Sequence, residues 1–218
     1  MQLALDLLLD PTPSLDNFIV GSNSELLGHL RNPPSRSVFI WGESGSGKTH
    51  LLKALAHQNG LYASAENFPA VDTTNLPQVL CIDDLESVNP ENLDTLFGLQ
   101  NAYRASLNKL LLIASRVAPK AITDHLSARD DVSSRLAWGL TLQVKELSDE
   151  QKLQALAAFF EHRGTEISAD VIPYLLTRHS RNIKDLANLA DNIDRYAFTQ
   201  KRALTLALVR QYQNQNGV

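Results

Sequence analysis

The sequence has one cysteine, no long hydrophobic run, no surplus of positive charge and no low-complexity segment. Each absence excludes something. A single thiol, Cys81, cannot close an internal disulfide, and its apolar surroundings (VLCI) fit a reducing compartment. No stretch approaches the roughly 20 consecutive apolar residues that span a bilayer. The start MQLALDLLLDP lacks the basic segment of a secretory signal, and Asp6 and Asp10 interrupt its leucines. A cytoplasmic protein is expected. The formal charge of −4, from 20 Lys and Arg against 24 Asp and Glu, disfavours a protein whose main task is gripping DNA phosphates. Such grip needs a cationic surplus on one face, although a local basic patch remains open.

What is present is ordinary globular material: 218 residues, 44% apolar and 20% charged, enough to bury a core without staples. No internal repeat is visible. From residue 37 compact apolar runs alternate with helical patterns: SVFIW, KTHLLKALAHQ, LYASA, QVLCID, ENLDTLFGLQNAYRASL and LLLIAS. Continuous apolar strands separated by helices indicate a parallel sheet covered on both faces. After Val144 the alternation stops and helical segments follow, the first opening on Ser148 as N-cap with acidic residues in its first turn. The expected division is a tether over 1–11, an α/β nucleotide-binding domain over 12–146 and a helical domain over 147–218. RQYQNQNGV reads as a polar tail without a recognition helix.

GESGSGKT at 42–49 matches G-x-x-x-x-G-K-[ST], with a strand before it and a helix after it. Gly42, Gly45 and Gly47 let backbone N–H groups converge on phosphate oxygens at a positive helix N-terminus. Lys48 reaches the β and γ phosphates, and Thr49 offers its hydroxyl to Mg²⁺. With Glu43, Ser44, Ser46 and His50 these residues make up the expected nucleotide-binding loop. QVLCIDDLE supplies the acidic strand end. Asp83 is the candidate for holding Mg²⁺, and Asp84 for orienting an attacking water; a helix cap is the bland alternative for the pair.

LDNFIVGSNSELL before the loop, WGESGSGKTHLLKAL at it, IDDLE after it and SSRLAWGLTL near its end resemble the DnaA branch of the AAA+ ATPases. The likeness runs from Leu15 to about Gln211. It implies a five-stranded parallel sheet with flanking helices, followed by a small α-helical lid, with ATP or ADP bound between them. It also implies roles by position: Phe18, Ile19 and Val20 pack on adenine, Arg135 is an arginine finger, and Lys184 stands where the lid contacts phosphate through an arginine. Lysine keeps that charge but loses the planar fork. Ser115 occupies the place of a polar sensor of the γ-phosphate, but Arg116 follows it where the family carries an acid, which puts that sensor in question. About 33 residues separate Thr49 from Asp83, fewer than the family leads one to expect.

Gln2, Leu3, Leu5 and Leu7 form a Q-L-x-L-x-L pattern similar to peptides that dock on the β sliding clamp of bacterial DNA polymerase III. Glutamine bonds at a pocket's edge while leucines fill an apolar groove. An N-terminal strand is the competing reading, though Leu8 and Leu9 spoil its alternation. A DnaA-like core, this peptide and no origin-binding segment together resemble the Hda family of regulatory inactivators of DnaA. That resemblance implies a regulator that docks on the clamp and promotes hydrolysis of initiator-bound ATP with Arg135 in trans, preventing re-initiation. DNA is met only through the clamp, homo-oligomers are allowed, and intrinsic hydrolysis is weak. Two alternatives stay open: a helicase loader of the related AAA+ branch, and a stand-alone ATPase with a structural N-terminus.

Overall fold

A computed structural model describes residues 12–57, 60–66, 75–126, 136, 138–179 and 182–216. These fall into two compact units, 12–146 and 147–216.

In the first unit α1 (Ser24–Arg31) precedes β1 (Ser37–Trp41), and α2 (Lys48–Ala56) precedes β2 (Gly60–Ser64). After β3 (Val79–Asp83) come two short 3-10 turns, α3 (Leu93–Ala105), β4 (Leu110–Ser115), α4 (Pro119–Leu126) and β5 (Leu140–Gln143). All strand pairs are parallel, in the order β2-β3-β4-β1-β5. The five-stranded parallel sheet implied by the family resemblance is therefore present. The sequence reading did not single out α4 or β5. β5 has only four residues and alternates half-buried with exposed, so its apolar run is weak.

Central strands are buried almost throughout because both faces are covered. Successive side chains point to opposite faces. Phe39, Leu80, Ile82, Leu111 and Ile113 pack with Leu96, Leu99 and Tyr103 of α3. Val38, Ile40, Cys81, Leu112 and Ala114 pack on the other face with Leu26, Leu27 and Leu30 of α1 and Leu51 and Leu52 of α2. Burial, then the nearby Asp83, pushes the Cys81 thiol up to about 12, so it is an inert core residue.

The second unit is all helical: α5 (Asp149–His162), α6 (Val171–Arg178), α7 (Ile183–Gln200) and α8 (Leu206–Asn216). Ser148 opens α5 with a full capping box, its Oγ accepting from Gln151 N while the Gln151 side chain accepts from Ser148 N. Phe159, Phe160, Leu175, Leu186, Ile193 and Leu208 fill its separate core. The polar tail is a correction: α8 continues through RQYQNQN to Asn216. Its polar side chains are used for docking. Tyr174 Oη donates to Gln213 Oε1 at 3.1 Å, Tyr196 Oη donates to Gln215 Oε1 at 2.9 Å, and Gln213 also bonds His179.

Candidate phosphate-binding site

In a parallel sheet every strand ends on the same side, and here that side gathers the motif residues. The chain leaves β1 at Trp41 and turns through 42–47 into α2. A Cβ at Gly42 would lie 2.3 Å from Val144 O, so only glycine admits the backbone carbonyl that follows β5. Gly47 has φ +100°, and a Cβ there would lie 2.7 Å from the Phe18 ring. A wider loop would push that ring away. Lys48 is buried, and its Nζ donates to Gly42 O at 2.7 Å and Glu43 O at 2.9 Å, so the ammonium lies inside the curl of the loop. Burial lowers its pKa, with Asp83, Glu86 and Asp84 acting the other way. Ser46 Oγ is buried with no partner among the described residues.

Asp83 ends β3 with its carboxylate fully engaged. Oδ2 accepts from Thr49 Oγ1 at 2.6 Å and from Tyr62 Oη at 3.0 Å, and Oδ1 accepts from Asp84 N at 3.0 Å. Tyr62 lies on the neighbouring β2 and was not foreseen, since only the β2–β3 register brings it there. Burial and then Asp83 raise its phenol well above the usual range. Asp84 is exposed, with φ 52° and ψ 52°, a left-handed conformation that aspartate tolerates better than most residues. Burial, then Asp83 and Glu86, raise its pKa.

Ser115 and Arg116, at the tip of β4, meet a residue not singled out from sequence, Glu86. The Glu86 side chain is 3% exposed. It accepts from Ser115 Oγ at 2.9 Å and Arg116 Nε at 2.5 Å, and Arg116 N also donates to it. Ser115 Oγ in turn accepts from Val117 N. Burial pushes the Glu86 carboxyl up, but these bonds outweigh it and hold its pKa below the ordinary value. The Ser115 hydroxyl is thus committed to Glu86.

Phe18 is 7% exposed and lies against Gly47 and, tilted at 5.8 Å, the His50 ring. Ile19 and Val20 are half-buried, whereas Glu43 and Ser44 are exposed. His50 Nε2 bonds Ser14 O at 2.9 Å, and burial lowers its pKa. Lys184 is an exposed residue of the second unit whose N–H bonds the Asn182 cap. Arg135 and the peptide Gln2, Leu3, Leu5 and Leu7 lie outside the described residues.

The residues fit the group expected of them. A glycine cradle, a buried ammonium and an unpartnered Ser46 hydroxyl suit phosphate oxygens. Thr49 Oγ1 and Asp83 Oδ2 are hard oxygen donors 2.6 Å apart. Mg²⁺ is characteristically held by one or two such protein ligands together with water and phosphate. Among the described residues no cluster of three His, Cys, Asp or Glu could hold a metal without such help.

Residues 149–212 match the family model of the Hda lid domain. A Haemophilus influenzae protein is 34% identical over 218 residues, covering 92% of this chain and 93% of its own. Among solved structures, domain III of the Thermotoga maritima replication initiation protein DnaA superposes with a TM-score of 0.72 at 20% identity, over 92% of this chain and 95% of that one. AMPPCP-bound DnaA from Aquifex aeolicus gives 0.70 at 23%, covering 88% and 68%. The Thermotoga maritima RuvB branch migration motor gives 0.66 at 18%, covering 95% and 72%. The lid match and the shared fold together define the class, an AAA+ core followed by a helical lid. Within it, the chain belongs to the DnaA-related AAA+ proteins of the Hda type.

Proposed function

We propose that this chain is a regulator of replication initiation that acts on DnaA. It binds ATP or ADP with Mg²⁺ through residues 42–50 and Asp83, and docks on the β sliding clamp through Gln2, Leu3, Leu5 and Leu7. It presents Arg135 to the ATP of a neighbouring initiator. The observation that carries the reading is the conjunction of a complete phosphate-binding loop with an Hda-type lid on a DnaA-like core. An arginine supplied in trans neutralises charge on the transferring phosphoryl group and is worth about 10³–10⁵ in rate. Supplying it from a clamp-bound protein makes initiator inactivation follow clamp loading. On this reading Phe18, Ile19 and Val20 border the adenine, Lys184 contributes charge from the lid, and Asp84 orients water only in slow intrinsic hydrolysis.

The test follows conversion of DnaA-bound ATP to ADP with clamp loaded on DNA. Arg135→Ala is expected to abolish the stimulation while leaving nucleotide binding intact. Gln2→Ala with Leu3→Ala is expected to release the chain from immobilised clamp. Stimulation by Arg135→Ala equal to that of the parent chain rejects the finger, and unchanged retention of the double variant rejects the peptide.

A further inference from the structure

The opposite end of the sheet, where the strands begin, carries a second site. Two shallow cavities of about 200 and about 360 Å³ meet at Ser35 and Arg36, just before β1. Arg36, Arg104, Gln100 and Trp138 line the first, and Arg36, Lys109 and Asn108 line the second. No acidic side chain is among the described residues that line either one. In a chain of net charge −4, three cations around these cavities, with no acid among the described lining residues, is a local inversion of sign.

The groove is also organised. Arg36 Nη1 donates to Arg104 O at 3.2 Å, and the Arg104 guanidinium lies 5.1 Å from the centre of the Trp138 ring. Lys109 Nζ donates to Leu76 O at 2.6 Å. None of the three cations is in an ion pair among the described residues. Trp138 is 52% exposed. Gln100 is only 5% exposed, yet its Oε1 has no hydrogen-bond partner among the described residues.

We infer that this groove binds an acidic, partly apolar peptide segment of a protein partner. Carboxylates meet Arg36, Arg104 and Lys109, and an apolar side chain lies against Trp138. Arginine favours planar carboxylate recognition, and indole adds contact area at little entropic cost. Nucleic acid fits less well, since three cations and one aromatic form a short electrostatic track on an acidic molecule. Because the groove lies at the opposite strand ends from the phosphate-binding loop, the inference stands apart from the nucleotide reading.

The test measures fluorescence anisotropy of a labelled decapeptide alternating Glu and Leu, its Gln–Leu analogue and oligo-dT15, all with the full chain at low salt. The acidic peptide is expected to bind, the amide analogue at least tenfold more weakly. Arg36→Gln with Arg104→Gln should weaken the acidic peptide about tenfold, and Lys109→Gln alone by a smaller factor. Binding should also change tryptophan emission in the parent chain but not in Trp138→Phe. Absence of acidic-peptide binding, equal binding by the amide analogue, or unchanged affinity in both arginine and lysine variants overturns the proposal. Binding of dT15 that is lost in the double variant, with no peptide binding, assigns the groove to nucleic acid instead.

Discussion

Glu86 illustrates how a single residue reorganises a motif. Its carboxylate gathers the Ser115 hydroxyl and both the side chain and the backbone of Arg116. Removing the charge while keeping the shape turns one acceptor into a donor facing other donors. Hydrogen bonds to a charged group contribute about 1.5–3 kcal/mol. Glu86→Gln should therefore lower stability by about 2 kcal/mol, read as a shift of the urea midpoint without a change in slope. Two histidines make a different prediction. Burial lowers the pKa of His50 and of His179 below 6.5. The folded state takes up protons less readily than the unfolded chain, so stability is full above about pH 6.5 and declines as pH falls below it. Urea midpoints should drop between pH 7.5 and pH 5.5, above the range where ordinary carboxylates titrate. His50→Gln should flatten that drop.

At the level of elements, the loop and α2 were legible because their signal is contiguous: glycines, a lysine and a hydroxyl, then a helix. The segment before α1 was legible only as a pattern. Its N-F-x-x-G-x-N asparagines turn out to be structural clasps. Asn17 bonds Ser14 and Thr12, and Asn23, 3% exposed, closes a two-way bond with Lys145. Lys145 lies 122 residues away, two residues beyond β5. Asn23 stands at the start of α1, but its side chain makes no cap there because it is spent on Lys145. Asn23→Ala should cost about 2–3 kcal/mol, from two lost bonds and two stranded backbone groups. Urea unfolding followed by circular dichroism measures it. A loss near the 0.5 kcal/mol of a surface change would show that the clasp is dispensable.

For the whole molecule, two separate cores mean that stability belongs to two units, 12–146 and 147–216. The second holds a charged knot in which Arg163 pairs with Asp191 at 2.6 Å and also with Asp194, while lying over the Phe159 ring. A ligand for residues 42–50 acts first on the unit that contains them. At 100 times its Kd such a ligand stabilises the folded form by about 2.7 kcal/mol. ADP with Mg²⁺ should therefore raise the melting temperature by several degrees, and Lys48→Ala should erase the rise, read against that variant's own ligand-free melting temperature. An unchanged shift in that variant would remove Lys48 from phosphate binding.

The amino-acid sequence alone determined the parallel α/β plan, the phosphate-binding loop, the acidic strand end and the helical second unit. Each is carried by neighbours along the chain, through apolar periodicity, turn chemistry or a capping serine. The tertiary structure decided which distant groups complete them: Tyr62 on Asp83, Glu86 on Ser115 and Arg116, Asn23 on Lys145, and the polar end of α8 on Tyr174 and Tyr196. Those contacts depend on strand order and register, which bring together residues tens to more than a hundred positions apart. Local pattern carries no record of that separation.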